Sequence, residues 1–331
     1  MLKVALLGCG TMGKTHVQGY KKMDDVDVVA VCDIREEFAQ FAADELNSKV
    51  YLDFDEMMAN ESFDMIDICL PTYMHHDYAI AAMKQGKAVF CEKPIALSLE
   101  DAKEMIDTAK EENVKFSVGH VLRFFPTYAK AAEKFTNDNL GQARLIRTVR
   151  NQGFPMWSWN DWFSDYSLSG GPYVDLMIHD LDWIVHSFGK VERVYARSHI
   201  GDKQDQSIAI LRLENGAIVH AESSWAYPQG SPFKMSFEIV GTQGQLEYDN
   251  QLDASITLQT RPDDQFNQSS YSPDASLQEP YYAELRSFVD HVAYDAELFV
   301  TPSQAYESLK VALAAKKSAE TQKAVIIEKE F

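Results

Sequence analysis

Two groups of residues in this chain have the types and spacing for proton and charge chemistry. The first is the lysine of "KAVFCEKPIALS", where Lys93 and Pro94 directly follow the apolar run 88–91. The second lies in "SGGPYVDLMIHDLDWIVHSFG", where Asp175 and His179 stand four residues apart. On one helix face, a carboxylate a turn away from an imidazole orients the ring and raises its proton affinity, which suits a base working near neutral pH. An ammonium at the end of a buried strand can stabilise a developing alkoxide in a dry cleft. Each feature also has a plainer reading. Most lysines are solvated rim charges, and Asp–His pairs occur on ordinary helix surfaces. Asp182 suits either orienting the ring or capping a neighbouring segment, and His186 falls in the helix's last turn, where the dipole favours it.

The elements around Lys93 set its place. Apolar runs at 3–8, 26–33, 49–52, 63–71, 87–93 and 114–120 alternate with helical stretches at 35–46, 76–85 and 98–112. Continuous Val/Ile/Leu-rich strands alternating with helices predict a parallel sheet covered on both faces, an α/β doubly wound fold. "SLED" at 98–101 has capping-box spacing at a helix start. The first strand runs into "GCGTMG", with glycines at 8, 10 and 13, and Asp33 ends the second strand twenty residues after the last of them. That context makes the glycine motif a dinucleotide (Rossmann) fingerprint. Gly8 serves the turn, Gly10 the approach of backbone to pyrophosphate, and Gly13 the packing of helix on strand, while the helix start around Thr11 and Met12 offers N–H groups to phosphate. Asp33 can accept ribose hydroxyls and would repel a 2′-phosphate, which favours NAD. Arg35, after Ile34, can pair with a 2′-phosphate and keeps NADP open.

In such sheets ligands sit at the carboxyl ends of strands. That places Leu70, Pro71 and Thr72 near the nicotinamide half, with Glu92 and Lys93 on the same edge. His75 and His76 open the next helix, and adjacent side chains diverge by about 100°, so they do not converge on one metal. His75 is a candidate for the cofactor site or, equally, a capping histidine. Four cysteines (Cys9, Cys32, Cys69, Cys91) show no C-x-x-C pair and read as buried thiols of a reducing cytoplasm, with no metal expected.

With these motifs in view, the sequence resembles the Gfo/Idh/MocA oxidoreductases, a family that includes inositol dehydrogenases and glucose–fructose oxidoreductase. The resemblance runs through "LLGCGTMGKTH", "FCEKPIALS", "VGHVLRFFPTY", "GGPYVDLMIHDLD", "IVGTQGQLEYDN" and "PYYAELRSFVDHV", essentially the whole chain. It implies that Lys93, Asp175 and His179 form the catalytic group, with histidine as general base, lysine polarising the oxygen and aspartate supporting both. Many relatives carry glycine where this chain has Pro172 and Met177, which bears on the substrate side. The resemblance further implies a second domain whose sheet is open on one face and mediates a homodimer or homotetramer.

The length suits two domains, expected at 1–121 for NAD(P) binding and 122–331 for substrate binding and oligomerisation. From 122 onward alternating strands at 142–150, 191–199, 206–213, 217–225, 234–240 and 245–248 predict an α+β domain with a large, mostly antiparallel sheet. Asn215-Gly216 and "GTQGQ" at 241–245 are hairpin signals, 303–320 reads as helix, 324–328 as strand, and the polar, proline-punctuated 261–280 as loop. "FPMWSWNDWFSDY" sets Trp157, Trp162 and other aromatics beside acidic residues, which suits a sugar or cyclitol face; the plainer reading is a hydrophobic plug. Arg123 in "RFFP" is a further candidate, for substrate, cofactor or a neighbouring carboxylate. A formal charge of −19 argues against nucleic acid or an acidic membrane as partner. Two alternatives to a sugar or polyol dehydrogenase stay open: an NADP-dependent carbonyl or keto-sugar reductase of the dihydrodiol-dehydrogenase type, and a non-catalytic dinucleotide-sensing regulator.

Overall fold

The computed structural model describes residues 1–137, 140–252, 256–260, 267–271 and 279–328. Its chain divides into two compact units, Met1–Phe124 with Gln278–Tyr306, and Phe125–Leu277 with Glu307–Phe331. In the first, β1 (Leu2–Leu7), β2 (Val26–Cys32), β3 (Lys49–Tyr51), β4 (Met65–Ile68), β5 (Ala88–Glu92) and β6 (Phe116–Gly119) form a six-stranded parallel sheet in the order β3-β2-β1-β4-β5-β6. Every residue of β4 and β5 is buried, the expected outcome for unbroken apolar runs covered on both faces. The order reverses between β1 and β4, which opens a crevice at the carboxyl ends of those strands.

Helices α1 (Thr11–Tyr20), α2 (Glu36–Leu46), α3 (Phe54–Asn60), α4 (His75–Met83) and α5 (Leu99–Glu111) connect the strands. Ser98 caps α5 as its spacing predicts, accepting the Asp101 N–H at 3.0 Å. Seven-residue α3 is too short to show a helical period in the sequence, though Asp53 caps it by accepting the Glu56 N–H at 2.8 Å.

The second unit contains α6 (Pro126–Thr136), β7 (Ala143–Gly153), α7 (Tyr166–Ser169), α8 (Pro172–Asp175), α9 (Ile178–Phe188), β8 (Val191–His199), β9 (Gln206–Leu213), β10 (Ile218–Tyr227), β11 (Lys234–Gly241), β12 (Gly244–Asp249), β13 (Ile256–Thr260) and β14 (Asn267–Tyr271). With β15 (Val325–Ile326) the strands make a nine-stranded sheet, β14-β13-β12-β11-β7-β10-β9-β8-β15. Only the β7–β10 pair among them is parallel. One face, with Ala196, Ala209, Ala221, Thr148 and Phe237 in one cross-strand row, is buried. The other carries the row Tyr195, Ile210, His220, Arg147 and Glu238, in which Tyr195 and Ile210 are exposed. Of the expected loop at 261–280, residues 267–271 are strand β14; 261–266 and 272–278 lie outside the described residues.

Helix α10 (Pro280–Tyr294) falls in the first unit, so the chain returns to its nucleotide-type half rather than staying in a second domain from 122 on. The reason is apolar: Leu285, Phe288 and Val289 complete the core with Val17, Met65 and Phe90, and the Phe288 ring lies 5.6 Å from that of Phe90. Arg286 adds an ion pair to Asp25 at 2.6 Å. The long α11 (Pro302–Thr321) follows the 303–320 prediction.

Candidate active site

Glycine chemistry builds the first part of the site. Gly8 has φ +91°, and a Cβ there would stand 2.6 Å from the Cys69 carbonyl oxygen. A Cβ on Gly13 would come within 2.1 Å of the Gly8 carbonyl oxygen, so α1 can approach the turn only without a side chain. Gly10 has no such crowding, its nearest neighbour being an Arg35 side-chain nitrogen at 3.5 Å. Helix α1 starts at Thr11 with no side-chain cap and no acid in its first turn, which leaves its N–H groups and positive dipole end for an anion. Thr11 is exposed and Met12 half-buried beside them.

Asp33 closes this turn. Its Oδ2 accepts the Cys9 N–H at 2.9 Å and Arg35 Nη2 at 2.8 Å; its Oδ1 accepts the Arg35 N–H and Nε–H, both at 2.9 Å. Burial works against the carboxylate, yet these bonds hold its pKa below the usual range. Four bonds fill the capacity of a carboxylate. A ribose hydroxyl therefore reaches Asp33 only as Arg35, which lies on the Phe38 ring at 3.8 Å, yields a bond. Ile34 is exposed at the rim.

The carboxyl ends of β4 and β5 hold the next residues. Leu70 and Pro71 are half-buried after β4, and Thr72 is buried. His75 is fully buried, with Nδ1 2.8 Å from the Pro94 carbonyl oxygen and Nε2 2.8 Å from that of Leu70. Burial pushes its pKa down. It ties the turn after β5 to the turn after β4. His76 stays at the surface near Asp77 and Glu104. Lys93 is half-buried at the end of β5, followed by a cis bond to Pro94. Arg123 is buried, its Nη1 donating to Gln304 Oε1 at 2.7 Å, so it braces the chain within the first unit.

Beneath Lys93 lies a network that the sequence reading missed. His16 on α1 is fully buried, with Nδ1 2.8 Å from Asp67 Oδ2 and Nε2 3.1 Å from Glu92 Oε1. Tyr20 donates to Asp67 at 2.9 Å, and Cys69 Sγ lies 3.1 Å from His16 Nδ1. Glu92 Oε2 accepts the Lys93 N–H at 3.1 Å. Glu92 thus acts from inside the fold. Burial opposes a charged His16, but Asp67 and Cys69 outweigh it and lift its pKa well above the ordinary value. Burial likewise disfavours the Glu92 carboxylate, and His16 and Lys93 overcome this to hold it low. One signal was available: two acids, Asp67 and Glu92, inside apolar strand runs demand a buried partner. Burial pushes the Cys69 and Cys91 thiols well up and Cys32 to about 12, so these cysteines stay protonated.

In the second unit, Asp175 ends α8 and His179 opens the first turn of α9; Asp175 is buried and His179 half-buried. The sequence predicts one helix here, but it is interrupted. The Met177 N–H reaches back five residues to Pro172 at 2.8 Å, a wide turn of the kind that often marks functional sites. Arg150 anchors α9 through Asp180, with Nε to Oδ2 at 2.6 Å. Asp182 accepts Ser308 Oγ at 2.8 Å, tying α9 to α11. The aromatic stretch divides. Phe154, Phe163 and Trp225 form a buried plug with Leu176, Trp162 stacks on Phe163 at 4.0 Å, and Trp157 stays exposed.

Residues 2–120 match the family described as "Oxidoreductase family, NAD-binding Rossmann fold", and 128–247 match the "GFO/IDH/MocA C-terminal domain". The chain is 28% identical over 340 residues to a myo-inositol 2-dehydrogenase of Thermotoga maritima, covering 99% of each chain. It is 30% identical over 250 residues to a D-glucoside 3-dehydrogenase of Escherichia coli, covering 68% of this chain and 70% of the relative. A solved levoglucosan dehydrogenase in complex with NADH and levoglucosan shares the fold, with TM-score 0.88, 22% identity, and coverage of 99% and 100%.

Proposed function

The chain belongs to the Gfo/Idh/MocA family of oxidoreductases, and on that premise we propose that it oxidises a secondary alcohol of a sugar or cyclitol with NAD. The observation that carries the reading is Lys93: an ammonium half-buried at the carboxyl end of β5, on the sheet edge where such folds take their ligands. The turn at Gly8–Gly13 and the bare start of α1 fit a pyrophosphate, and Asp33 fits an unphosphorylated ribose. When bound, NAD accepts the hydride that the carbinol carbon gives up.

In this reading His179 takes the hydroxyl proton, and the O–H electron pair becomes the second bond of the carbonyl. Lys93 donates a hydrogen bond to that oxygen as its negative charge grows, which is the larger contribution in a dry site. General-base help from His179 adds about 10²–10⁴ in rate. Asp175, four residues ahead of His179, orients its imidazole. Trp157 and Trp162 supply apolar faces for the C–H side of a ring substrate. Names of relatives that act on inositol, glucosides and levoglucosan support the substrate class.

A second copy of the chain is the proposed occupant of the open sheet face around Tyr195, Ile210 and Ile218, whose exposed apolar side chains support this. No helix among the described residues is long and apolar enough to cross a membrane. The four free cysteines support a reducing cytoplasm.

The test is a panel of inositols, glycosides and anhydrosugars with NAD and NADP, following reduced nicotinamide and identifying the ketone product. Turnover with NAD and one alcohol class supports the proposal. Tight NAD binding without turnover on any member would move the protein to the regulators.

A further inference from the structure

We propose that His16 is a positioning residue for Lys93: bridging Asp67 at the end of β4 and Glu92 at the end of β5, it fixes the carboxylate that holds the Lys93 backbone, and so sets where the ammonium points. The inference rests on the reading of Lys93 as the group that polarises the substrate oxygen.

Geometry carries it. A carboxylate oxygen faces each ring nitrogen of His16, at 2.8 Å for Asp67 and 3.1 Å for Glu92. Carboxylates accept and do not donate when ionised, so both nitrogens must carry hydrogen, and the ring is an imidazolium. The pair of acids is then one charge in excess, in a place with His16 and Asp67 wholly out of solvent. Tyr20 and the Cys69 thiol supply Asp67 with further donors, at 2.9 Å and 3.6 Å. Gly119 leaves the space that Glu92 occupies, since an added Cβ there would meet its Oε1 at 3.1 Å. With Oε1 held by His16, Glu92 Oε2 receives the Lys93 N–H at 3.1 Å. His16 itself sits under the sheet edge, without access to a substrate.

His16, Asp67 and Cys69 also offer ligand atoms within 4.8 Å of one another, the reach of one metal ion. The hydrogen bonds already join these atoms to each other, and burial keeps Cys69 a thiol rather than the thiolate a metal needs. The protonated bridge is thus the better account.

The experiment compares His16→Asn, His16→Gln and Lys93→Ala with wild type. Asparagine puts its amide near Nδ1 and can keep the Asp67 bond; glutamine reaches the Nε2 position and can keep the Glu92 bond. Measured are NADH affinity by fluorescence, kcat and KM on the alcohol found in the panel, and the rate of Lys93 reductive methylation at one pH by peptide mass spectrometry. Expected for His16→Asn are a kcat loss of about 100-fold, the size of effect a displacement near 1 Å produces, with NADH affinity within about twofold, and a changed Lys93 methylation rate. His16→Gln should recover at least about a tenth of wild-type kcat. His16→Asn matching wild type in both kcat and Lys93 methylation while Lys93→Ala is dead overturns the positioning role and leaves the lysine assignment standing. Lys93→Ala turning over like wild type sinks the lysine assignment itself. Failure of both His16 variants to fold makes the residue purely structural, and stoichiometric zinc in wild type, by elemental mass spectrometry, replaces the bridge with a metal site; either result overturns the proposal.

Discussion

Side chains of the proposed centre differ in how far their roles could be read from their neighbours in sequence. Lys93, Asp33 and the glycines at 8 and 13 sit in short motifs whose local context carries the chemistry. His16 does not: its partners Asp67 and Glu92 are 51 and 76 residues away, and only the parallel sheet brings them together. The bonds of His75 were hidden for a related reason, since its two carbonyl partners lie on turns whose proximity the sequence does not state. The His16 network has a pH signature. The folded pKa of His16 is raised well above 6.5, so its stabilising contribution is complete below that unfolded value and is lost as pH rises toward the folded one. Glu92 has the opposite sign. Its folded pKa is lowered from 4.5, so its contribution is present above that value and is lost as pH falls through the folded pKa. The difference in melting temperature between wild type and His16→Gln should therefore narrow as pH rises from about 6 to about 9. A difference that widens over that window would show that His16 is neutral in the folded protein.

Helices and strands were legible where period and punctuation agreed. Ser98 announces α5, the unbroken apolar runs announce β4 and β5, and Asn215-Gly216 announces the β9–β10 turn, whose Leu213 N–H meets the Ala217 carbonyl at 2.9 Å. The break between α8 and α9 was not legible, because Leu176 and Met177 are good helix formers and the wide turn is set by buried packing around them. The start of α1 gives the sharpest test at this scale. Gly13→Ala places a methyl 2.1 Å from a backbone oxygen that cannot retreat without opening the turn. NAD binding by calorimetry should be lost. Ser98→Ala, remote from the turn, should cost about 1 kcal/mol of stability and leave NAD affinity unchanged. Equal NAD affinity in Gly13→Ala and wild type would show that the α1 start is not the phosphate site.

Across the whole chain the rhythm of the sequence changes near residue 122, and nothing in it announces the return of α10 to the first unit. Its apolar face matches core residues of β4, β5 and α1, and nothing local to 280–294 says which core it completes. The nine-stranded sheet leaves Tyr195, Ile210 and Ile218 exposed on one face, and the assembly proposed there is testable. Ile210→Asp should shift the sedimentation coefficient to that of a single chain, with the fold retained by circular dichroism. A wild type that already sediments as one chain would remove the second copy. The central claim is that Lys93 and His179 carry the hydride-coupled proton chemistry, and it is tested most directly by single-turnover rates of Lys93→Ala and His179→Ala under saturating NAD and alcohol. The account predicts that each falls by about 10² or more while NAD affinity stays within about twofold. Single-turnover rates equal to wild type in His179→Ala would contradict it.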